Sequence, residues 1–325
     1  MPERLTRRTL LATSLAAAAG WTAGALVSRP AWAQGADSIK STSLTPLSLA
    51  SISLGEGLWL FQGAGGNAVA AGDRDELLLV DSGSPEMAAQ LERRVRAESG
   101  ARRVTTLLNT HWHWDHTGGN EVFGKSGATI VAHENTKLWL GTQVISKWEN
   151  RTYAPRPARA LPTKTFYYGT EQMTVGKRVV EYGYLPKAHT DGDLYVFFPK
   201  ENVLVAGGVV SGGSYPVADY CTNGWLGGMV AALQTLIAKS DSATRIVPGE
   251  GPVRTKADLQ AQLDLCRTVL GRIAKNYYTG KTWPELLSSK PTREFDARWG
   301  DPALFLQTAY EGAWLHINEI QRLSR

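Results

Sequence analysis

Short apolar runs broken by glycine-rich turns fill the first part of the chain after about residue 49. Ile52–Phe61, Asn67–Ala71 and Glu76–Val80 alternate or run apolar at strand length, with turns at Gly63-Ala64-Gly65-Gly66 and Gly72-Asp73 between them, which predicts an antiparallel meander. Pro85 opens a helix through about Glu98, where Met87, Leu91 and Val95 recur at helical spacing and Gly100 stops it. Val104–Leu108 reads as a buried strand, followed by a short helix near Glu121, a strand at 128–132 and a helix from His133-Glu134. Residues 145–163, with Pro155, Pro157 and Pro162 and little period, predict an ordered loop.

Strands return at 164–166, 172–174, 178–185, 194–198 and 203–206, then a helix at 225–239 and a strand at 245–247. The last third is helical. Leu259, Leu263, Cys266, Leu270 and Ile273 mark one apolar stripe, and Leu306, Tyr310, Trp314 and Ile317 another, both expected to be core packing. This order predicts an α/β protein without a linker or repeat that would divide it after residue 49.

Composition sharpens the two ends of this picture. At 325 residues and 43% hydrophobic, the chain can bury a large core. Residues 1–33 carry Arg4, Arg7, Arg8 and Arg29 against Glu3, so they hold +3 of the formal +5, and the remainder is nearly neutral at +2. No concentrated basic face follows residue 40, which argues against nucleic acid as a partner. The basic start with Arg7-Arg8, the Ala-rich stretch to Val27 and Ala31-Trp32-Ala33 read as an export signal of twin-arginine type, cleaved before Gln34, and this places the mature protein in the periplasm. The 18 residues of its apolar stretch are borderline for a span and weakened by Gly, Ser and Thr, and no other segment is apolar enough to cross a membrane. Ser- and Thr-rich residues 34–48 are expected to form a loose leader. Cys221 and Cys266, 45 positions apart, carry no disulfide framework signature. Nothing in the sequence sets the oligomeric state.

The candidate chemistry is concentrated in His111-Trp112-His113-Trp114-Asp115-His116, which holds three of the chain's six histidines. Where the backbone is extended, residues i and i+2 point the same way, so His111 and His113 can face one ion while Trp112 and Trp114 turn away. A third ligand is expected at His189, which follows the strand 178–185 and precedes a Thr-Asp-Gly turn. Three histidines and an open position form a known catalytic zinc arrangement.

This motif, with Gly118-Gly119 and the later His189, resembles the metallo-β-lactamase superfamily, whose signature is HxHxDH and a later His. The resemblance implies an αββα sandwich over 49–255, and the helical residues 256–325 are expected to pack on the same domain as an extra C-terminal segment. By that likeness His111, His113 and His189 hold the first metal, and Asp115 and His116 face a second. The chain departs from the family where Gly208 replaces a bridging Asp and Glu250 replaces a late His. Two arrangements follow. In one, a single zinc activates water, with Asp115 handling the proton and His116 polarising the substrate carbonyl. In the other, a weak second metal uses Asp115, His116 and Glu250 as ligands. Restoring Asp at 208 and His at 250 is expected to raise the metal content.

The activity implied is a metal-dependent hydrolase acting on an ester, lactone, thioester or amide of a small molecule. The alternative is a non-hydrolytic metal- or ligand-binding member of the fold. Ser211 or Tyr215 is a candidate oxyanion donor, against a packed connecting loop. His133, His316 and Cys221 are expected to be structural, and Trp112, Trp114 and Trp148 either line a pocket or pack.

Overall fold

The structure, a computed structural model, describes residues 49–323. The expected export signal and leader lie outside these residues. The order is β1 Ala50–Gly55, β2 Leu58–Gln62, β3 Ala68–Gly72, β4 Leu77–Val80, α1 Ala88–Ser99, β5 Thr106–Leu108, α2 Trp114–Thr117, α3 Asn120–Lys125, β6 Thr129–His133 and α4 Glu134–Gly141. There follow β7 Val144–Ser146, β8 Arg151–Tyr153, β9 Lys164–Phe166, β10 Thr170–Val175, β11 Arg178–Leu185, β12 Asp193–Phe198, β13 Val203–Gly207, α5 Leu226–Lys239 and β14 Arg245–Pro248. The chain closes with α6 Lys256–Tyr278, α7 Trp283–Ser288, α8 Asp296–Trp299, α9 Ala303–Leu315 and α10 Ile317–Leu323.

Two sheets stack with helices on both outer faces. The first runs β1-β2-β3-β4-β5-β6-β9, an antiparallel meander to β4 and parallel thereafter. The second runs β10-β11-β12-β13-β14, antiparallel except for the last pair. The strand period of two divides the second sheet's side chains between its faces. Leu194, Val196, Val203, Val205 and Val247 face the first sheet's Leu60, Val69, Leu78 and Leu108. Tyr195, Leu204, Ala206 and Ile246 face outward onto α5, α6 and α9 through Leu233, Leu263, Cys266 and Phe305. The first sheet's outer face is covered by Leu91 and Val95 of α1 and Phe123 of α3. The C-terminal helices thus share one core with the second sheet.

Three expectations are corrected. The single strand over 52–61 is two, because Gly55 and Gly57, both at positive φ, fold a turn into the run. The loop expected at 145–163 contains the β7–β8 hairpin, whose short strands pair antiparallel from Val144↔Tyr153 to Ser146↔Arg151. In α9 the buried face is Phe305, Leu306, Ala309 and Ala313, whereas Trp314 is 63% exposed and the helix breaks at His316 before Ile317.

The strand directions bring the chemistry to one edge. β4, β5, β13 and β14 end there, and because β12 runs antiparallel to β13, the turn from β11 to β12 lies there too. Main-chain bonds from Leu194 to Thr110 (2.7 Å) and from Asn67 to Gly249 (2.7 Å) tie the two sheets along this edge.

Candidate metal centre

The three expected ligand histidines come together. Among the described residues, the group of three or more His, Cys, Asp or Glu side chains able to share an ion is His111, His113 and His189, with ligand atoms all within 4.8 Å of one another and all three residues buried. His111 and His113 leave the end of β5 before α2 begins, and His189 stands in the β11–β12 turn. That turn is fixed by Asp193, whose carboxylate accepts from the Thr190 amide (2.8 Å) and hydroxyl (2.7 Å).

Hydrogen bonds decide which nitrogen of each ring is free. The single hydroxyl proton of Thr110 goes to Asp81 Oδ2 at 2.7 Å, so Thr110 Oγ1 accepts from His111 Nδ1 at 2.9 Å and leaves Nε2 as the lone pair. His113 Nε2 donates to Asp219 Oδ2 (3.1 Å), leaving Nδ1. His189 Nδ1 donates to the Val217 carbonyl (2.7 Å), leaving Nε2. His189 Nε2 and His113 Nδ1 lie 2.9 Å apart. Two facing lone pairs at that distance repel unless a cation lies between them, so the donor set fits a metal ion. Burial and the neighbouring imidazoles hold His111 well below the ordinary histidine range and His189 at about 3, which keeps both in the neutral form that ligates.

The outer support rests on two carboxylates that the sequence reading did not single out. Asp81 follows β4 directly, in the left-handed region (φ 61°), and is buried. It receives the Thr110 amide and hydroxyl at 2.7 Å and His116 Nδ1 at 2.9 Å. Asp219, also buried, receives His113, the Thr222 hydroxyl (2.6 Å), Trp148 Nε1 (2.9 Å) and the Cys221 amide (3.0 Å). An apolar strand ending in Val80-Asp81 and the segment Asp219–Thr222 after the Gly-rich loop were the available signals. Neither carries a motif by itself.

His116 and Asp115 form a pair beside the triad. His116 Nε2 stands 3.3 Å from Asp115 Oδ2 while Nδ1 is on Asp81, so both ring nitrogens are committed to carboxylates. Burial works against the charge of His116, but Asp115 and Asp81 outweigh it and raise its pKa well above the ordinary value. Asp115 is held below the ordinary carboxylate range. Desolvation opposes its charge, and the His116 charge and hydrogen bond prevail. His116 thus faces Asp115 and Asp81, where the sequence expectation set it against a substrate carbonyl.

Glu250 is exposed on the rim of the cleft and lies outside the ligand group. Gly208 packs against His189. A Cβ there would fall 2.2 Å from His189 Cδ2, so an Asp restored at 208 collides with the ligand ring instead of adding a donor.

The remaining candidates are settled locally. Tyr215 donates to Asp296 Oδ1 (2.7 Å) and Ser211 to the Ser214 carbonyl, so neither hydroxyl is free for an oxyanion. His133 caps α4 through Asn135 and bonds the Tyr167 carbonyl (2.9 Å), and His316 stacks on Trp225. Cys221 accepts a 3.4 Å bond from the Lys147 amide, and both cysteines are free thiols. Trp112 is buried with its indole on Thr222, Trp148 holds Asp219, and Trp114 lines the cleft.

Comparison with known proteins agrees with this geometry. The family model described as the metallo-beta-lactamase superfamily matches residues 62–269. The chain belongs to the metallo-beta-lactamase superfamily. Metallo-beta-lactamase type 2 of Bacillus cereus is 26% identical over 200 residues, 59% of this chain and 69% of that protein. Hydroxyacylglutathione hydrolase of Idiomarina loihiensis is 28% identical over 86 residues, 26% of this chain and 32% of that protein. A metallo-beta-lactamase structure from Pontibacter korlensis superposes with a TM-score of 0.55 at 19% identity, covering 68% of this chain and 99% of that one, which shows the shared fold. The superfamily member described here is a metal-dependent hydrolase.

Proposed function

We propose that the chain is an exported, periplasmic zinc hydrolase with one secure metal, acting on an ester, lactone, thioester or amide of a small molecule. The observation that carries this reading is the hydrogen-bond set at His111, His113 and His189, which commits one nitrogen of each ring to an outer partner and leaves the other within 4.8 Å of its counterparts. Zinc held there supplies a Lewis acid and a water-derived nucleophile at neutral pH. Asp115, about half exposed toward the cleft and kept charged by His116, is the group placed to accept the proton of the attacking water and return it to the leaving group. The cleft of about 330 Å³ is lined by the three histidines, Trp148, Tyr153 and residues of the Val210–Val217 loop, a size for a small molecule.

One ion is favoured over two because Asp115, His116 and Glu250 are not gathered into a second ligand group, and no side chain at 208 bridges two cations. Export rests on the Arg7-Arg8 signal, and no helix of the described residues is long and apolar enough to cross a membrane. The relatives' names keep lactams and acylglutathiones within the panel to be tried.

The test is metal content per purified chain together with hydrolysis of lactam, lactone, ester and thioester substrates. One equivalent of zinc with turnover that chelation abolishes is the expected result. Two tight equivalents would overturn the single-ion reading, and bound metal without turnover on the whole panel would overturn hydrolysis.

A further inference from the structure

Beside the metal cleft lies a second cavity of about 570 Å³, and Trp114, Arg151 and Tyr153 line both. Of these, Trp114 is the residue between the candidate metal ligand His113 and Asp115. Over that ring lies Arg156, with its guanidinium carbon 4.1 Å from the ring centroid, and Arg151 stands 5.6 Å from the same ring and 4.6 Å from that of Tyr153.

The hydrogen bonding of Arg156 is incomplete. Arg156 Nη2 donates to the Gly118 carbonyl at 3.1 Å, while Nη1 is buried without a partner. Neither arginine forms an ion pair among the described residues. The acidic residue of this cavity, Glu121, is taken by Arg159 (2.8 Å) and Lys125 (3.2 Å). A buried donor left unsatisfied costs about 1–3 kcal/mol, more when charged, and burial lowers the pKa of Arg156 with only the Glu121 charge opposing it. The backbone holds the group in place, since Pro155 and Pro157 flank it and fix their own φ. A guanidinium stacked on an aromatic face keeps its in-plane N–H groups for an oxyanion.

We infer that the cleft continues past Trp114 into an anion subsite formed by Arg156 and Arg151, so that the enzyme selects acyl substrates bearing an oxyanion group, carboxylate or phosphate, remote from the scissile bond. The inference rests on the hydrolase reading for its substrate class, but the subsite itself can be probed without turnover. Arg151, on β8, reaches both cavities and meets the anion first, and Arg156 receives it at the inner wall.

The kinetic test compares 4-nitrophenyl monoesters of glutarate and suberate with the neutral butyrate and octanoate esters on the zinc-loaded protein. The anionic members are expected to be preferred in kcat/KM by about tenfold or more, the scale of a charge-assisted hydrogen bond. That preference should fall toward unity in Arg156→Gln and Arg151→Gln, return in part with Arg→Lys, and weaken with salt. Folding of Arg156→Gln is checked by circular dichroism, and the exposed Arg151 supplies the variant with little packing to lose. The second arm follows tryptophan fluorescence of the chelator-treated protein titrated with suberate and with octyl phosphate, the better ligand identifying the source of the oxyanion. Binding that drops about tenfold in the arginine variants is expected. No anionic preference, or a preference and binding that neither substitution moves, overturns the subsite. Arginine-dependent binding with no ester turned over would overturn hydrolysis and leave the subsite standing.

Discussion

Asp219 carries more of the metal centre than its place in a loop suggests. It takes the proton of His113 Nε2 and so leaves Nδ1 toward the ion, and three further donors, Thr222, Trp148 and the Cys221 amide, hold the carboxylate still. Outer partners of this kind are worth about 10- to 100-fold in metal affinity. Asp219→Ala should therefore weaken zinc by that factor in competition with a chelating dye, and Trp148→Phe, which removes one of the four donors, should weaken it less. Equal affinity in Asp219→Ala and wild type would show that His113 is oriented by other means. Gly208 makes the opposite point, because here the absence of a side chain is what the ligand needs. With a Cβ 2.2 Å from His189 Cδ2, Gly208→Ala should lower the bound metal, and Gly208→Asp combined with Glu250→His should do the same instead of doubling it. Metal analysis of the two purified variants separates these outcomes.

At the level of elements, α6 begins with a capping box that can be titrated. Thr255 Oγ1 and the Thr255 amide both donate to Asp258 Oδ2 (2.8 and 3.0 Å), and Asp258 also pairs with Arg298 of α8 at 3.1 Å. Part-burial raises the Asp258 pKa, but the bonds from Thr255 outweigh it and the net shift is downward. A depressed folded pKa stabilises above the unfolded value near 3.8, and that stability is lost as pH falls below it. Asp258→Asn should thus cost about 0.3–1.5 kcal/mol in urea unfolding at pH 7 and much less near pH 3. A cost independent of pH would show that the charge plays no part.

Most strands were readable, because buried strands and amphipathic helices write their period into the chain. Leu259, Leu263, Cys266, Leu270 and Ile273 all prove to lie in the core behind the second sheet. The β7–β8 hairpin was not readable, since three-residue strands rich in polar side chains leave no period to count. The ligands His111, His113 and His189 were legible because three His in one motif with a later His is a dense signal. Asp81 and Asp219 were not, as a lone Asp says nothing about which imidazole it faces. Likewise the commitment of His116 to two carboxylates depends on where β4 ends relative to α2, a tertiary fact.

For the whole molecule, the metal centre joins the two halves of the sandwich. His111 and His113 leave the first sheet at the end of β5, whereas His189 belongs to the second sheet between β11 and β12. An ion held by all three closes a cross-link that the unfolded chain lacks, so its binding energy adds to the stability of the fold. For a ligand at a thousand times its Kd that contribution is about 4 kcal/mol. In domains of 150–250 residues each kcal/mol moves the midpoint by roughly 2–4 °C, and this larger unit should move by a similar or somewhat smaller amount. Scanning calorimetry should accordingly show the zinc-loaded protein melting on the order of 10 °C above the chelated one, with the difference growing as free zinc is raised. His189→Ala breaks the link on the second sheet and should remove most of the zinc-dependent shift while leaving a cooperative transition, since His189 lies at a turn and outside the apolar core between the sheets. A shift that survives intact in His189→Ala would mean that the ion is held by the first sheet alone, and the division of ligands between the two sheets would then carry no energetic weight.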